Sequence, residues 1–152
     1  MNNKKQTSGM MDISHKDMTR RVAIASAEIQ MSKSAFEALI HNKSPKGNVL
    51  ETAKVAGIMA AKRTPDLIPM CHPLELGKAS VRFEVNKTKR KIMIISEVVY
   101  NGKTGVEMEA LTVVSVAALT IYDMMKWADK SMTITNVQLL EKQGGKSGMF
   151  RR

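Results

Sequence analysis

Charged residues near two helix ends have the types and spacing to move protons. Asp123 and Lys126 are three residues apart, so on a helix they would form an ion pair. A lysine at the end of an apolar helix can have a lowered pKa and act as an acid or base, although a weak surface ion pair is the simpler interpretation. Glu107 and Glu109 would face different sides of the same helix, where acidic residues also simply favour a helix start.

Two short motifs suggest phosphate binding without forming a complete nucleotide-binding loop. Residues 102–104 and 145–147 read Gly-Lys-Thr and Gly-Lys-Ser, but Glu97 and Leu140 stand where a P-loop needs its first glycine. We therefore exclude Walker-A nucleotide hydrolysis. The two segments are either ordinary turns or glycine-rich turns whose lysines and backbone N–H groups bind phosphate.

The single cysteine, Cys71, precedes His72 in a segment bounded by Pro69 and Pro73. One cysteine excludes an intrachain disulfide framework and a CxxC metal site. The other two histidines lack the spacing of metal ligands, so we predict no metal site. His72 could transfer a proton or bind phosphate, since its ordinary pKa lies near neutrality, or it could make a structural hydrogen bond in its loop.

The pattern of apolar residues predicts the elements that position these groups. Alternation predicts strands over residues 21–31, 79–85, 91–100 and 132–140. Helices are predicted from a Ser32 cap to His41, from an Asn48 cap to about Lys62, and over about 106–127. Residues 42–47 and 101–105 are expected to be loops, and residues 141–148 a flexible basic tail. This mixture predicts an α+β fold in which helices cover one antiparallel sheet.

The middle of the third helix, residues 110–122, carries no charge on any side. A helix that is apolar all round is buried all round, so we expect another subunit to cover the side that the sheet does not. Glu109 and Asp123 would lie about 21 Å apart along the helix axis, too far to serve one small ligand within one chain. Either the two helix ends serve different sites, or a symmetric oligomer brings them together.

Length, composition and charge limit the class of protein. The 152 residues predict one domain, over residues 11–149, after a polar tail at 1–10 that is expected to be mobile. The lack of a long apolar run or signal pattern, with one cysteine, predicts a cytoplasmic protein without a membrane span. A net charge of +10 predicts an anionic partner: nucleic acid, an anionic membrane surface or a phosphorylated small molecule.

Four segments resemble signatures of the cyclic pyranopterin monophosphate synthase family of molybdenum cofactor biosynthesis. They are residues 11–14, 46–74, 102–126 and 142–148, within a match over about 11–149. The resemblance implies a lyase that converts 3′,8-cyclo-7,8-dihydro-GTP to cyclic pyranopterin monophosphate and pyrophosphate. It also implies a ferredoxin-like α+β fold and a homohexamer, a trimer of dimers, with its sites at subunit interfaces.

The resemblance assigns roles to individual residues. The catalytic group would be Asp123, Lys126 and Lys46, and the substrate-binding residues would be Met70, Cys71, His72, Glu107, Met108, Glu109, Lys142 and Lys146. No metal ligand and no cofactor is implied, although Mg2+ can accompany the triphosphate. The chain departs from the common family pattern at Asn48, Met70, Met125 and Trp127, and none of these changes removes a proposed functional group.

Two rival classes rest on charge. A basic protein that binds RNA or DNA without catalysis would explain the net charge, but it leaves the acid-ended apolar helix unexplained. With 4% aromatic residues, the chain also has little material for stacking bases. A basic membrane-surface protein fits less well, because the sequence has no basic amphipathic helix.

Overall fold

Residues 8–152 are described by a computed structural model, in which one antiparallel sheet carries helices on one face. The elements are β1 (Thr19–Gln30), α1 (Lys33–Ile40), α2 (Val49–Leu67), β2 (Lys78–Asn86), β3 (Lys91–Gly102), α3 (Glu107–Met125), β4 (Thr133–Gln143) and β5 (Phe150–Arg151). The sheet order is β2-β3-β1-β4-β5. The predicted α+β fold is confirmed. Most of the expected tail at 1–10 lies outside the described residues, and the division into tail and domain stays a prediction.

Small side chains on β1 let α3 lie close to the centre of the sheet. Ala23, Ala25, Ala27 and Ile29 alternate along β1, as the sequence pattern predicted, and the structure buries all four fully. A second close approach joins α2 to α3 at Gly57, where an added Cβ would lie 3.1 Å from a Val113 methyl group. Both contacts need small residues, so they fix how the two long helices lie on the sheet.

The sheet and α2 cover most of the long helix α3, and its own chain leaves part of one side exposed. By length and composition it could cross a membrane, but more than half of its apolar window is buried inside the protein, which is typical of a core helix. On its outer side Leu119 is 59% exposed, and Val55 and Met59 of the neighbouring α2 are also about half exposed. The single chain therefore leaves apolar helix surface uncovered, as the sequence predicted.

The end predicted for α2, near Lys62, was wrong because the helix continues through Pro65. A proline has no N–H to donate to the carbonyl four residues earlier, which here belongs to Ala61. The hydroxyl of Thr64 lies 3.1 Å from that carbonyl and 3.0 Å from the Ala60 carbonyl, so its one proton is shared between the two, and Thr64 is fully buried. A side-chain donor thus partly replaces the missing backbone donor, and the helix ends at Leu67.

The end predicted for β4, at Leu140, was also wrong because two β-bulges interrupt the alternation of this strand. The first bulge contains Asn136, whose φ is 53°, and the second inserts Leu140. Residues 141–143, expected to be part of a flexible tail, pair with β1, and the unpredicted β5 pairs with them. Residues 101–102, expected to be loop, instead end β3.

We expect Thr64→Val to lower the free energy of unfolding by about 1–2 kcal/mol, because the carbonyl opposite Pro65 loses its donor. Urea-induced unfolding measures the effect. Thr52→Val is the matched control, since the exposed Thr52 hydroxyl donates to the Asn48 carbonyl at 2.7 Å and the backbone N–H of Thr52 also donates to it. Equal losses in the two variants would contradict the role given to Thr64.

Candidate active site

The C-terminal end of α3 brings together three of the predicted residues. The buried hydroxyl of Ser44 donates to the Met124 carbonyl at 2.9 Å and fastens the loop before α2 to the last turn of α3. Lys46, in the same loop, then lies with its Nζ 2.9 Å from Oδ2 of Asp123. Lys126 Nζ lies 2.9 Å from the other oxygen, Oδ1. One carboxylate therefore holds two ammonium groups.

The electrostatics of this cluster keep Asp123 ionised. Hydrogen bonds from Lys46 first, and then from Lys126, hold the pKa of the Asp123 carboxyl below its ordinary value. The three side chains are each about half exposed, so a ligand or a neighbouring chain can reach them. The carbonyl end of the helix also favours cations. Two residues beside Lys126 differ from the common family pattern: Met125 is fully buried and Trp127 is half exposed.

The N-terminal end of α3 borders a cavity of about 470 Å³ at the other side of the molecule. Its lining is rich in cations and glycine-loop residues: Lys16, Asp17, Thr19, Arg21, Thr104, Gly105, Glu107, Lys142, Gly145, Lys146 and Ser147. Both Gly-Lys turns of the sequence contribute, so the two motifs meet in space. Across this cavity Lys142 Nζ pairs with Glu107 Oε1 at 2.8 Å, and both side chains are about three-quarters buried.

Two cations at this cavity, Lys16 and Arg21, were missed by the sequence analysis. Arg21 is 7% exposed, and its Nε donates to the carbonyl of Gly102 at 3.3 Å. Its position in the sequence could have indicated a role, because an arginine at the start of a strand of small apolar residues is unusual. Gly144 and Gly145, both with positive φ, pass so close to the Arg20 carbonyl and the Arg21 guanidinium that a Cβ would not fit. The glycine loop therefore lies directly on β1.

Glu109 is the most perturbed acid of the described residues. Its side chain lies in the first turn of α3, 4% exposed, and its Oε2 has no hydrogen-bond partner within residues 8–152. Burial raises the pKa of Glu109 to about 7, and the charge of Glu107 also raises it, against a lowering by a backbone hydrogen bond. Glu109 is therefore largely protonated below neutral pH, and a neutral carboxyl can both donate and accept a hydrogen bond.

The segment at residues 70–72 approaches the same end of α3. Burial, and then the charge of Glu109, raise the pKa of the Cys71 thiol. His72 Nε2 lies 2.9 Å from the Met11 carbonyl, which is the structural hydrogen bond considered above. Met70 and Met108 are exposed. The two predicted groups thus lie at opposite ends of α3, and a single chain does not bring them together.

The α+β chain thus has a basic cavity at one end of an apolar helix and a lysine–carboxylate cluster at the other. Both places offer positive charge to an anionic ligand. Residues 10–145 match the MoaC family. The chain is 54% identical over 143 residues to the cyclic pyranopterin monophosphate synthase of Campylobacter lari, covering 94% of this chain and 91% of the relative. It is 52% identical over 149 residues to that of Listeria monocytogenes, covering 98% and 92%. This chain therefore belongs to the MoaC family and is an enzyme, which confirms the resemblance.

We expect Glu109→Gln to stabilise the chain increasingly as the pH rises from about 4.5 to about 7. The unfolded carboxyl ionises near 4.5 and the folded one at about 7, so the wild type loses free energy of unfolding across that window. The loss is roughly 3 kcal/mol, since one pKa unit corresponds to about 1.4 kcal/mol. A glutamine does not ionise and avoids this loss.

Urea-induced unfolding at about pH 4.5 and about pH 8 measures the difference between wild type and Glu109→Gln. Glu51→Gln is the matched control, because Glu51 is exposed and pairs with Lys54 at 2.9 Å. If the free energies of unfolding of Glu109→Gln and the wild type differ by the same amount at both pH values, burial does not raise the pKa of this carboxyl.

Proposed function

We propose that this chain is a lyase that converts 3′,8-cyclo-7,8-dihydro-GTP to cyclic pyranopterin monophosphate and pyrophosphate in molybdenum cofactor biosynthesis. Its relatives carry the name of the synthase that makes this product. The observation that carries the chemistry is the cluster of Lys46, Asp123 and Lys126, because it places two proton donors on one ionised carboxylate. Proton donors held in this way suit a ring that must open and reclose.

In this mechanism Asp123 orients the two lysines and Lys126 moves protons. Lys126 gives a proton to the purine-derived ring as it opens and takes one back as the new ring closes. Lys46 places a second positive charge where negative charge develops as pyrophosphate leaves. Asp123 keeps both ammonium groups within 2.9 Å of its oxygens, so little reorganisation is needed during the reaction.

The cavity at the other end of α3 is proposed to bind the rest of the substrate. Lys142 and Lys146, with the cavity residues Lys16 and Arg21, would bind the triphosphate. Glu107 and Glu109 would bind the guanine-type edge. A protonated Glu109 offers a donor and an acceptor side by side, which match the carbonyl and N–H of that edge. The remaining proposed contacts are Met70, Cys71, His72 and Met108.

We propose that the active assembly is a homohexamer, a trimer of dimers of ferredoxin-like chains, with sites at subunit interfaces. The ferredoxin-like pattern fits the order β2-β3-β1-β4 loosely, with α1 and β5 added to it. A closed assembly of dimers needs two different interfaces. The exposed apolar helix surface at Val55, Met59 and Leu119 supports one interface. The apolar residues on the opposite face of the sheet, among them Met93 and Val99, support the other.

We further propose a cytoplasmic enzyme that needs no cofactor and has no nucleic-acid or membrane partner. The lysines of the cavity supply the positive charge that phosphates require. Mg2+ can accompany the triphosphate as part of the substrate. The nucleotide-derived substrate and the single free cysteine, Cys71, both fit a reducing compartment.

The direct test is incubation with 3′,8-cyclo-7,8-dihydro-GTP, with pyrophosphate release and the mass of the pterin product as readouts. We expect wild-type turnover and a loss of at least about a hundredfold in kcat for Lys126→Ala. Lys54→Ala removes a lysine from an i,i+3 ion pair elsewhere and is the control, expected to keep full turnover. A well-folded wild type that binds the nucleotide but releases no pyrophosphate would overturn the proposal.

Mixing two variants, measured at a substrate concentration where each alone turns over poorly, tests whether one site uses both helix ends from different chains. Lys126→Ala and Lys142→Ala each damage one end of α3. In randomly mixed oligomers we expect about a quarter of the sites to combine an intact C-terminal end with an intact N-terminal end of a neighbour, and turnover to return to that extent. Turnover that stays at the level of the separate variants after subunit exchange would show that each chain works alone.

A further inference from the structure

The direction of the Lys142 side chain is set by the β-bulge at Leu140. Glu141 lies opposite Ile24 and Leu139 opposite Ala25, so Leu140 is an extra residue in β4. Because side chains alternate along a strand, a β4 that kept the bulge at Asn136 but lacked the one at Leu140 would turn Lys142 away from the helices. With the bulge, Lys142 lies opposite the fully buried Ala23 on the helix-facing side. The bulge therefore turns Lys142 toward Glu107 and the cavity.

Arg152 binds both carbonyls at this bulge. Its backbone N–H donates to the Leu140 carbonyl at 2.8 Å, and its Nε donates to the Leu139 carbonyl at 2.9 Å. Its guanidinium group lies 5.9 Å from the centre of the Phe150 ring, within the range of a cation–π contact. Phe150 in turn pairs with Lys142 across β4 and β5. Arg152 thus holds the bulge, and it directly follows the short β4–β5 pair that includes Lys142.

We propose that Arg152 is a positioning residue for Lys142, acting through the bulge at Leu140. Among the described residues that line the cavity, Arg152 is absent. It instead holds β4 in the register that points the Lys142 side chain toward the cavity. The same pairing closes the glycine loop that carries Lys146, because this loop runs from β4 to β5. The functional part of the proposal rests on the proposed function, in which Lys142 and Lys146 bind the triphosphate.

Kinetics of Arg152→Ala test the proposal. Loss of a charged donor to the bulge should raise KM, and the dissociation constant of pyrophosphate, about tenfold. The value of kcat should stay within about twofold, because Lys142 is proposed to bind the triphosphate and not to move protons. Arg152→Lys keeps a cationic donor and should recover part of the binding. Arg151→Ala is the matched control, since it removes the same charge from an exposed side chain that is 3.5 Å from Glu141, and it should bind as the wild type does.

Hydrogen exchange separates this proposal from the proposed function. In Arg152→Ala, but not in Arg151→Ala, the amides of residues 139–147 should exchange faster. If this occurs in a protein that shows neither turnover nor pyrophosphate binding, the proposed function fails and the positioning of Lys142 stands. If the wild type turns over and Arg152→Ala matches it in exchange and KM, or if both arginine variants lose binding equally, Arg152 does not position Lys142.

Discussion

The packing of α3 against the alanine side chains of β1 is the contact on which the rest of the structure depends. Small residues let the helix approach the sheet closely, and two buried hydroxyls then fix it along its length. Ser96 Oγ donates to the Ala110 carbonyl at 2.8 Å near the start of α3, and Ser44 Oγ donates to the Met124 carbonyl near its end. Ser96 belongs to β3 and Ser44 to the loop that carries Lys46, so the position of the helix and the geometry of the site are set together.

The two ends of α3 show how burial decides the chemistry of a carboxyl group. A helix N-terminus favours negative charge by about 0.3–1 kcal/mol, which should lower the pKa of Glu109. Burial has the larger effect, and the pKa rises to about 7. At the other end Asp123 is exposed and receives hydrogen bonds from two lysines, so its pKa falls. Below neutral pH one helix therefore presents a protonated acid at its start and an ionised carboxylate at its end.

The sequence predicted the features that depend on neighbouring residues. The Ser32 and Asn48 caps, the alternation of β1 and the Asp123–Lys126 pair follow from local spacing, and the structure confirms them. Features that depend on contacts between residues far apart in the sequence could not be predicted from local spacing. Local spacing does not reveal that Lys46 meets Asp123 across 77 positions, and that residue came from the family resemblance alone.

The prediction of α2 failed at Pro65 for a similar reason, because the propensity of a proline does not include a hydroxyl that replaces its missing donor. The prediction of β4 stopped at Leu140 because the extra residue there breaks the two-residue alternation of side chains on which the prediction rests. In both places the sequence pattern gives the local preference correctly, and a single specific contact overrides it.

Irregular backbone is concentrated in β4 and the loop that follows it. Asn136, Gly144, Gly145 and Gly148 all have positive φ, and both bulges lie in β4, whereas β1 and β3 pair without interruption over twelve residues. The regular strands hold the alanine face that supports α3, so irregularity there would disturb the core. In β4 the same irregularity redirects side chains toward the cavity and disrupts a strand edge that β5 covers only at residues 141–142. The bulge at Leu140 thus turns Lys142 toward the cavity, and the bulge at Asn136 interrupts the regular edge of the strand.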